Sequence, residues 1–326
     1  MWVQHAKVDH ASKQTYLQSN WNILVGALFV SSNVPFWKIH LFAFLVQLIY
    51  AANYSLAKQV MPSFVLPYAF IVIRVLGACF LFFVLAIFVK NKVKIAKGDW
   101  PKIVVASLFG VVFNMLLFFK GLSLTTPINA AIIMLTTPVF VFIINTLNQH
   151  KKWSWQSILG LLLSLSSALY LVGMKKFSVN QDHTIGNLLV LLNALSYGFY
   201  LFYVKRLTKK YPSQSIIKWL FLSGLIFVFP IGFSQLTQIE LATWSTGVYA
   251  IVIFVVLGTT FLTYLLNFSV IKHGGPVLAG SYIYLQPVLA SIIAVCLGAD
   301  VLSIKKIICT FVLIFGLYLI NIKSNG

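Results

Sequence analysis

Ten long apolar runs are the feature that most constrains what this chain can fold into. A helix needs about 20 predominantly apolar residues to cross a bilayer. Ten stretches of the sequence approach or exceed this length, and polar or proline-containing segments separate them. They cover residues 39–57, 67–89, 103–119, 127–147, 153–173, 185–204, 216–235, 247–271, 276–297 and 305–322. The sequence therefore predicts an all-α polytopic membrane protein with ten transmembrane helices.

The composition agrees with a membrane location and argues against other classes. The 326 residues are 60% hydrophobic and 9% charged, against about 25% charged in soluble domains. The net charge of +19 does not indicate nucleic-acid binding, because the basic residues lie between apolar runs. Cys79, Cys296 and Cys309 all lie inside apolar runs, where a thiol usually packs as a small hydrophobe. No disulfide framework, metal site or cofactor is predicted.

The N-terminal segment, residues 1–37, differs from the rest of the chain. It is polar up to Asn20, and the following "ILVGALFV" contains only eight apolar residues before "SSNVP". This run is too short to span a bilayer. We predict a disordered or interfacial tail; a start site assigned too far upstream and an eleventh helix remain alternatives.

The basic residues predict the orientation. If the N-terminus is cytoplasmic, the inner segments hold 17 basic residues and the outer segments hold 6. Cytoplasmic loops carry the excess of lysine and arginine in membrane proteins. Both termini are therefore predicted to lie in the cytoplasm, and the composition favours a bacterial inner membrane.

The chain contains an internal repeat. The segment "LLFFKGLSLTTPINAAIIMLTTPV" (116–139) aligns with "LLNFSVIKHGGPVLAGSYIYLQPV" (265–288) at a constant offset of 149 residues. Pro127 and Pro138 of the first copy match Pro276 and Pro287 of the second. Two prolines at the same spacing, with identities beside them, indicate a duplication.

The two copies are predicted to have opposite orientations. Each contains five spans, and an odd number turns the second copy upside down in the membrane. The loop after the second span has five basic residues and its counterpart none, whereas the loop after the first span has one and its counterpart five. Inverted repeats are typical of secondary transporters, which bind substrate near the bilayer midplane. The predicted units are repeats over 38–179 and 180–322 and a cytoplasmic C-terminus over 323–326.

Several segments resemble the drug/metabolite transporter superfamily with two EamA-type domains, over about residues 38–322. They are "YAANYSLAK", "IVIRVLGA", "GLSLTTPINAAIIMLTTPVF" and "GGPVLAGSYIYLQPVLA". The resemblance implies ten helices, cytoplasmic termini and movement of small metabolites, without fixing the solute. Members often have an acidic residue after the fourth and ninth spans. Asp300 fits that pattern, whereas the corresponding segment of the first copy, "NQHKKWS", contains no acidic residue.

Polar side chains recur on one face of several spans. In hydrocarbon such groups tend to face the bundle interior or a wet cavity. The predicted substrate-binding residues are Gln47, Tyr50 and Tyr54 of the first span, Asn114 of the third, Thr136 and Thr137 of the fourth, Asn193 and Tyr197 of the sixth, Thr260, Tyr264 and Asn267 of the eighth, and Tyr282 and Gln286 of the ninth. The alternative for each is hydrogen bonding to a neighbouring helix. Tyr284 is predicted to point the other way.

Arg74 is the one charge well inside a predicted span. It either reaches carbonyl groups or the interface, or it provides a counter-charge for an anionic or zwitterionic solute. The five acidic residues lie in tails or loops, which argues against proton-driven antiport of cationic drugs. Two modes of transport remain possible: facilitated diffusion, and proton coupling through His40 or His273.

These features predict a secondary transporter that moves a small neutral, zwitterionic or anionic metabolite by alternating access. Amino-acid-like solutes are the first candidates. The predicted partners are the solute and the lipid bilayer, and the sequence does not decide between monomer and homodimer. A membrane receptor or a membrane-embedded enzyme is the alternative. No paired carboxylates, phosphate loop or metalloprotease motif indicates an enzyme.

Overall fold

The computed structural model describes residues 34–88, 93–149, 154–173, 181–208 and 210–321, and these residues form helices and turns without a β-strand. We number the helices α1 to α10 along the chain. Their bounds are α1 Phe36–Val60, α2 Pro67–Phe88, α3 Trp100–Leu124, α4 Pro127–Gln149, α5 Trp155–Gly173, α6 Gln181–Thr208, α7 Ser213–Leu236, α8 Thr246–Tyr282, α9 Gln286–Cys296 and α10 Ile304–Asn321. Short 3₁₀ turns cover Lys97–Asp99, Leu241–Thr243 and Ile283–Leu285.

Seven helices of the described residues are long and apolar enough to cross a membrane, and Ile283–Cys296 forms a shorter apolar helix. The seven are Phe36–Val60, Pro67–Ile87, Lys97–Leu124, Pro127–Asn148, His183–Thr208, Ser215–Leu236 and Thr246–Gly274. Large apolar side chains cover the outer surface, and Phe80, Ile87 and Phe311 are each about 70% exposed. The chain is therefore a polytopic helical membrane protein, and the count of ten spans stays a prediction.

The chain reverses direction near the end of α8. Gly258 lies beside Ile49, and Gly274 lies beside Ile39, so this part of α8 runs antiparallel to α1. Farther along, Tyr282 bonds His40 and Gln286 bonds Tyr54, so the chain then runs parallel to α1. The turn lies between Gly274 and Tyr282, close to the boundary between the predicted eighth and ninth spans.

Helix irregularities occur at equivalent positions of the two sequence copies. The π-helical segment Leu108–Val112 interrupts α3, and Val255–Leu262 interrupts α8; adding the 149-residue offset to the first places it within the second. The α-helical hydrogen bonding of α4 is broken after Met134 and resumes at Thr137. The 3₁₀ turn Ile283–Leu285 precedes Gln286, the residue equivalent to Thr137.

The packing brings helices of the first copy against helices of the second. The helix α2 packs on α7, α5 on α10, α1 on α8 and α9, and α6 on α3 and α4. Small residues allow the close approach of α3 and α6, because a Cβ at Gly121 or at Gly186 would lie 2.8 Å from the other glycine's carbonyl oxygen. Such contacts are typical of helix pairs within membranes.

The predicted domain limits fall largely outside the described residues. Residues 1–33, the boundary between the predicted repeats at 179–180, and residues 323–326 lie outside them. At the N-terminus α1 begins at Phe36, after the extended residue Pro35. The last two residues of the predicted tail therefore belong to the first helix, because Pro35 provides the helix start.

Candidate functional site

A central cavity of about 70 Å³ lies among α1, α2, α3, α4, α6, α8 and α9. Eight of the sequence-predicted residues line it: Tyr50, Tyr54, Arg74, Asn114, Asn193, Tyr197, Tyr264 and Gln286. Asn53, Phe118, Phe119 and Met134 complete the lining. Both sequence copies thus contribute polar side chains to one cavity.

A second cavity of about 30 Å³ adjoins the central one. The two share Tyr50, Tyr197 and Gln286 as lining residues. The predicted residues Gln47 and Asn267 also line the second cavity. The Nδ2 of Asn267 donates to the Tyr197 hydroxyl at 3.2 Å, which fixes this tyrosine at the junction between the cavities.

Arg74 is the cation in the wall of the central cavity, and its side chain is buried. Its Nε donates to the Thr260 hydroxyl, and its Nη2 donates to the carbonyl oxygen of Thr259 at 3.0 Å. The guanidinium also lies over the Phe119 ring at 4.8 Å from the centroid. The π-helical segment of α8 therefore positions Arg74 through neutral oxygens.

A chain of three polar side chains connects α1 with α9. The Tyr54 hydroxyl donates to Oε1 of Gln286 at 3.0 Å, and Nε2 of Gln286 donates to Oε1 of Gln47 at 2.6 Å. Gln47 and Tyr54 are two helical turns apart on one face of α1, so one glutamine can reach both. Pro287 follows Gln286 at the start of α9, where proline needs no backbone N–H.

Polar contacts also join α6 and α8 to α3. The Nδ2 of Asn193 donates to the carbonyl oxygen of Asn114 at 2.7 Å. The Tyr264 hydroxyl donates to the carbonyl oxygen of Gly110 at 3.0 Å, within the irregular segment Leu108–Val112. A π-helical turn frees carbonyl groups from the regular hydrogen-bonding ladder, and the Tyr264 hydroxyl binds one carbonyl group of this segment.

Two lining residues have a free acceptor. Among the described residues, Oδ1 of Asn53 and Oδ1 of Asn193 are buried without a hydrogen-bond partner. A buried, unpaired amide oxygen costs free energy, about 1–3 kcal/mol. Asn53 and Asn193 both line the central cavity.

Four predicted residues lie outside both cavities: Thr136, Thr137, Thr260 and Tyr282. Thr136 donates to the carbonyl oxygen of Ile133 within its own helix, and Thr137 is buried. Thr260 acts on the cavity indirectly through Arg74. The Tyr282 hydroxyl lies 2.7 Å from Nδ1 of His40, near the start of α1.

Sequence reasoning missed the remaining lining residues for identifiable reasons. Asn53 is polar, lies three residues after Tyr50 in α1, and could have been found as part of the same face. Phe118, Phe119 and Met134 carry no such signal, because an apolar residue in an apolar helix can face lipid, core or cavity equally well.

Comparison with known proteins identifies the class. The EamA-like transporter family matches residues 37–173 and again residues 184–322. An uncharacterized transporter of Archaeoglobus fulgidus is 22% identical over 88% of this chain and 99% of its own length. A WAT1-related protein of Arabidopsis thaliana is 21% identical over 87% of this chain and 85% of its own.

A further relative and a solved structure extend the comparison. An uncharacterized transporter of Methanothermobacter thermautotrophicus is 24% identical over 71% of this chain and 67% of its own. A protein crystal structure shares the fold with a TM-score of 0.61 at 15% identity, covering 88% of this chain and 98% of that one.

The fold and these matches define a multi-pass membrane transporter. The chain belongs to the EamA-like transporter family, within the drug/metabolite transporter superfamily. The resemblance predicted from the sequence segments is thereby confirmed.

Proposed function

We propose that this protein is a secondary transporter that carries a small zwitterionic or anionic metabolite through the central cavity. Amino-acid-like solutes are the first candidates. The observation that carries the proposal is the buried guanidinium of Arg74 in the cavity wall. In the described part of the chain, Asp99 and Asp300 instead form ion pairs with lysines. The Arg74 charge thus faces the cavity with neutral groups as its protein partners.

A carboxylate on the solute would complete the environment of Arg74. A buried charge is costly unless it is paired and hydrogen-bonded. Guanidinium has five N–H donors, and two interactions with Thr259 and Thr260 leave further donors for a ligand. Its planar fork matches the geometry of a carboxylate.

The free amide oxygens favour a donor elsewhere on the same solute. Oδ1 of Asn53 and Oδ1 of Asn193 lack partners among the described residues and line the same cavity as Arg74. An ammonium, amide or hydroxyl group would satisfy them. A cation together with neutral acceptors in one cavity suits a zwitterion better than a purely cationic solute.

We infer alternating access between two inverted five-helix repeats, 38–179 and 180–322. Three observations support this motion: the cavity lining from both copies, the equivalent helix irregularities, and the Tyr54–Gln286–Gln47 contact across the interface between copies. Secondary transporters with such repeats move one against the other around a midplane site. We further propose that both termini lie in the cytoplasm and that the membrane is a bacterial inner membrane; the basic-residue bias of the sequence supports this orientation.

We propose facilitated diffusion as the mode of movement. His40 contacts Tyr282, His273 contacts the carbonyl oxygen of Ser269, and neither lines the central or the adjoining cavity. A proton relay to the solute therefore lacks a direct connection through these residues.

Uptake by purified protein in liposomes tests the proposal, with protein-free liposomes as the control. A panel of radiolabelled amino acids and small carboxylates is expected to yield saturable, time-dependent uptake of at least one unmodified solute. Binding without flux would instead indicate a receptor, and a chemically altered product an enzyme. Stimulation of uptake by a proton gradient would contradict facilitated diffusion.

A further inference from the structure

A separate pocket of about 190 Å³ lies between the start of α3 and the end of α6. Its lining residues are Asp99, Lys102, Tyr203, Arg206, Leu207 and Lys210. Three cations and one carboxylate give this headgroup pocket, as we name it, a net charge of +2. The basic-residue bias of the sequence places this end of the bundle on the cytoplasmic side.

The buried carboxylate of Asp99 organises the two lysines. Lys102 Nζ lies 2.6 Å from Asp99 Oδ1, and Lys210 Nζ lies 2.5 Å from Asp99 Oδ2. The Tyr211 hydroxyl also donates to Oδ2, at 2.6 Å. The carboxylate thus accepts three hydrogen bonds, and two of them come from the ammonium groups of Lys102 and Lys210, which it holds in place.

Both lysines retain capacity to bind a further anion. The Lys102 side chain is 53% exposed and that of Lys210 is 58% exposed, whereas that of Asp99 is 6% exposed. Each ammonium has three N–H donors, and the contact with Asp99 occupies one. The exposed part of the cluster is thus cationic, and the carboxylate lies beneath it.

The third cation lies at the end of a lipid-facing stripe on α6. Leu188, Leu192 and Leu195 are exposed, and Phe199 and Phe202 continue the same helical face. Arg206 follows four residues later, and its guanidinium lies 5.6 Å from the centroid of the Phe202 ring. An acyl chain could lie along this apolar face with its polar end at Arg206.

Aromatic side chains close to the pocket also mark an interfacial depth. The rings of Trp100 and Trp219 are 5.0 Å apart, and Nζ of Lys218 lies 5.3 Å from the Trp219 ring centroid. Tryptophan is enriched where the hydrocarbon region meets the headgroups. A ligand in the pocket would therefore be at headgroup level.

We propose that the headgroup pocket binds the phosphate of an anionic phospholipid through Lys102, Arg206 and Lys210, with an acyl chain along the exposed face of α6. Basic pockets at the cytoplasmic side of helical bundles suit such headgroups. The apolar stripe leading to Arg206 favours a lipid over a soluble phosphate. This proposal is independent of the solute that the central cavity carries.

Native mass spectrometry of the full-length protein in detergent tests this assignment, with phosphatidylglycerol as the probe. Phosphatidylcholine of the same acyl chains and inorganic phosphate serve as comparison ligands. We expect saturable retention of phosphatidylglycerol and weaker retention of phosphatidylcholine. Arg206→Gln should weaken the apparent affinity for phosphatidylglycerol about fivefold, as expected for one juxtamembrane cation. Lys205→Gln is the matched control, because Lys205 is exposed on the same turn and lies outside the pocket lining.

The binding of phosphatidylglycerol by the variants decides whether the pocket is the lipid site. Retained binding in Lys205→Gln together with loss in Arg206→Gln and in Lys102→Gln supports the site. Equal losses in Arg206→Gln and Lys205→Gln would show non-specific attraction and overturn it. Equal retention of the two lipids, or full competition by inorganic phosphate, would also overturn the proposal. Unchanged unfolding temperatures without lipid would exclude misfolding as the cause of a loss.

Discussion

Arg74 is held in the wall of the central cavity by groups that do not neutralise it. A hydroxyl, a backbone carbonyl and an aromatic face contact its guanidinium. These neutral groups position a planar donor without pairing its charge. We propose that the resulting site distinguishes a carboxylate from an uncharged group of similar shape.

Arg74→Gln should abolish most of the preference for a carboxylate over its amide. The lost charge-assisted hydrogen bond contributes about 1.5–3 kcal/mol, so Vmax/KM for the carboxylate should fall about 10- to 100-fold. The corresponding value for the amide analogue should change little. Arg74→Lys keeps the charge but loses the fork, and an intermediate preference is expected in the same liposome uptake measurement.

The ratio between the two solutes separates recognition from folding. A variant that folds poorly loses uptake of carboxylate and amide in equal proportion. An undiminished carboxylate preference in Arg74→Gln would show that Arg74 does not bind the solute.

The predictability of the site differs from residue to residue. Tyr50 and Gln286 could be predicted because polar side chains at helical spacing stand out in apolar spans. Tyr282 has the same signal, yet its hydroxyl lies against His40, since the turn before it sets which neighbour it meets. That turn depends on packing between distant segments, which spacing within one helix does not describe.

At the scale of elements, Lys58 joins the end of α1 to the end of α3. Its Nζ donates to the carbonyl oxygens of Leu122, Ser123 and Thr125 at 3.0, 2.7 and 2.8 Å. The last carbonyls of a helix have no partner within it, and a cation there also interacts favourably with the helix dipole. Lys58 is thus a cap that one helix provides for another.

Lys58→Met should lower the free energy of unfolding by about 1–3 kcal/mol, because the capped carbonyls lose their charged donor. A reduced Tm of the purified protein in detergent would measure this loss. Lys205→Met is the matched control, because Lys205 also lies in the last turn of a long helix but has an exposed side chain, and its effect should stay within about 0.5 kcal/mol. Equal Tm changes in both variants would contradict the capping role.

Helix irregularities could be predicted only where proline marks them. Pro138 indicates the interruption of α4 and Pro287 the 3₁₀ turn before α9, because proline lacks an N–H and clashes with the preceding turn. The π-helical segments Leu108–Val112 and Val255–Leu262 have no comparable residue signature. They depend on contacts such as that between Tyr264 and Gly110, which form only in the assembled bundle.

At the scale of the whole molecule, the helix pairing follows the duplication. The contacts of α1 with α8 and α9 have counterparts in those of α6 with α3 and α4. The sequence repeat predicts such correspondence but not the contacts that define the cavity, because these require the relative placement of the two copies. Our proposal of alternating access rests on motion of one copy against the other around this cavity.

Asn53→Cys provides the most direct test of that proposal. Asn53 lines the central cavity, and its free amide oxygen means that the substitution removes no side-chain acceptor contact. The background variant has Cys79, Cys296 and Cys309 replaced by alanine. The measurement is the rate of labelling by a small, charged, membrane-impermeant thiol reagent, in right-side-out and in inside-out vesicles, with and without the transported solute.

Alternating access through the central cavity predicts that Asn53→Cys is labelled from either face of the membrane and that the solute slows labelling from both. Labelling from one face alone, or labelling that a saturating solute leaves unchanged, would contradict it.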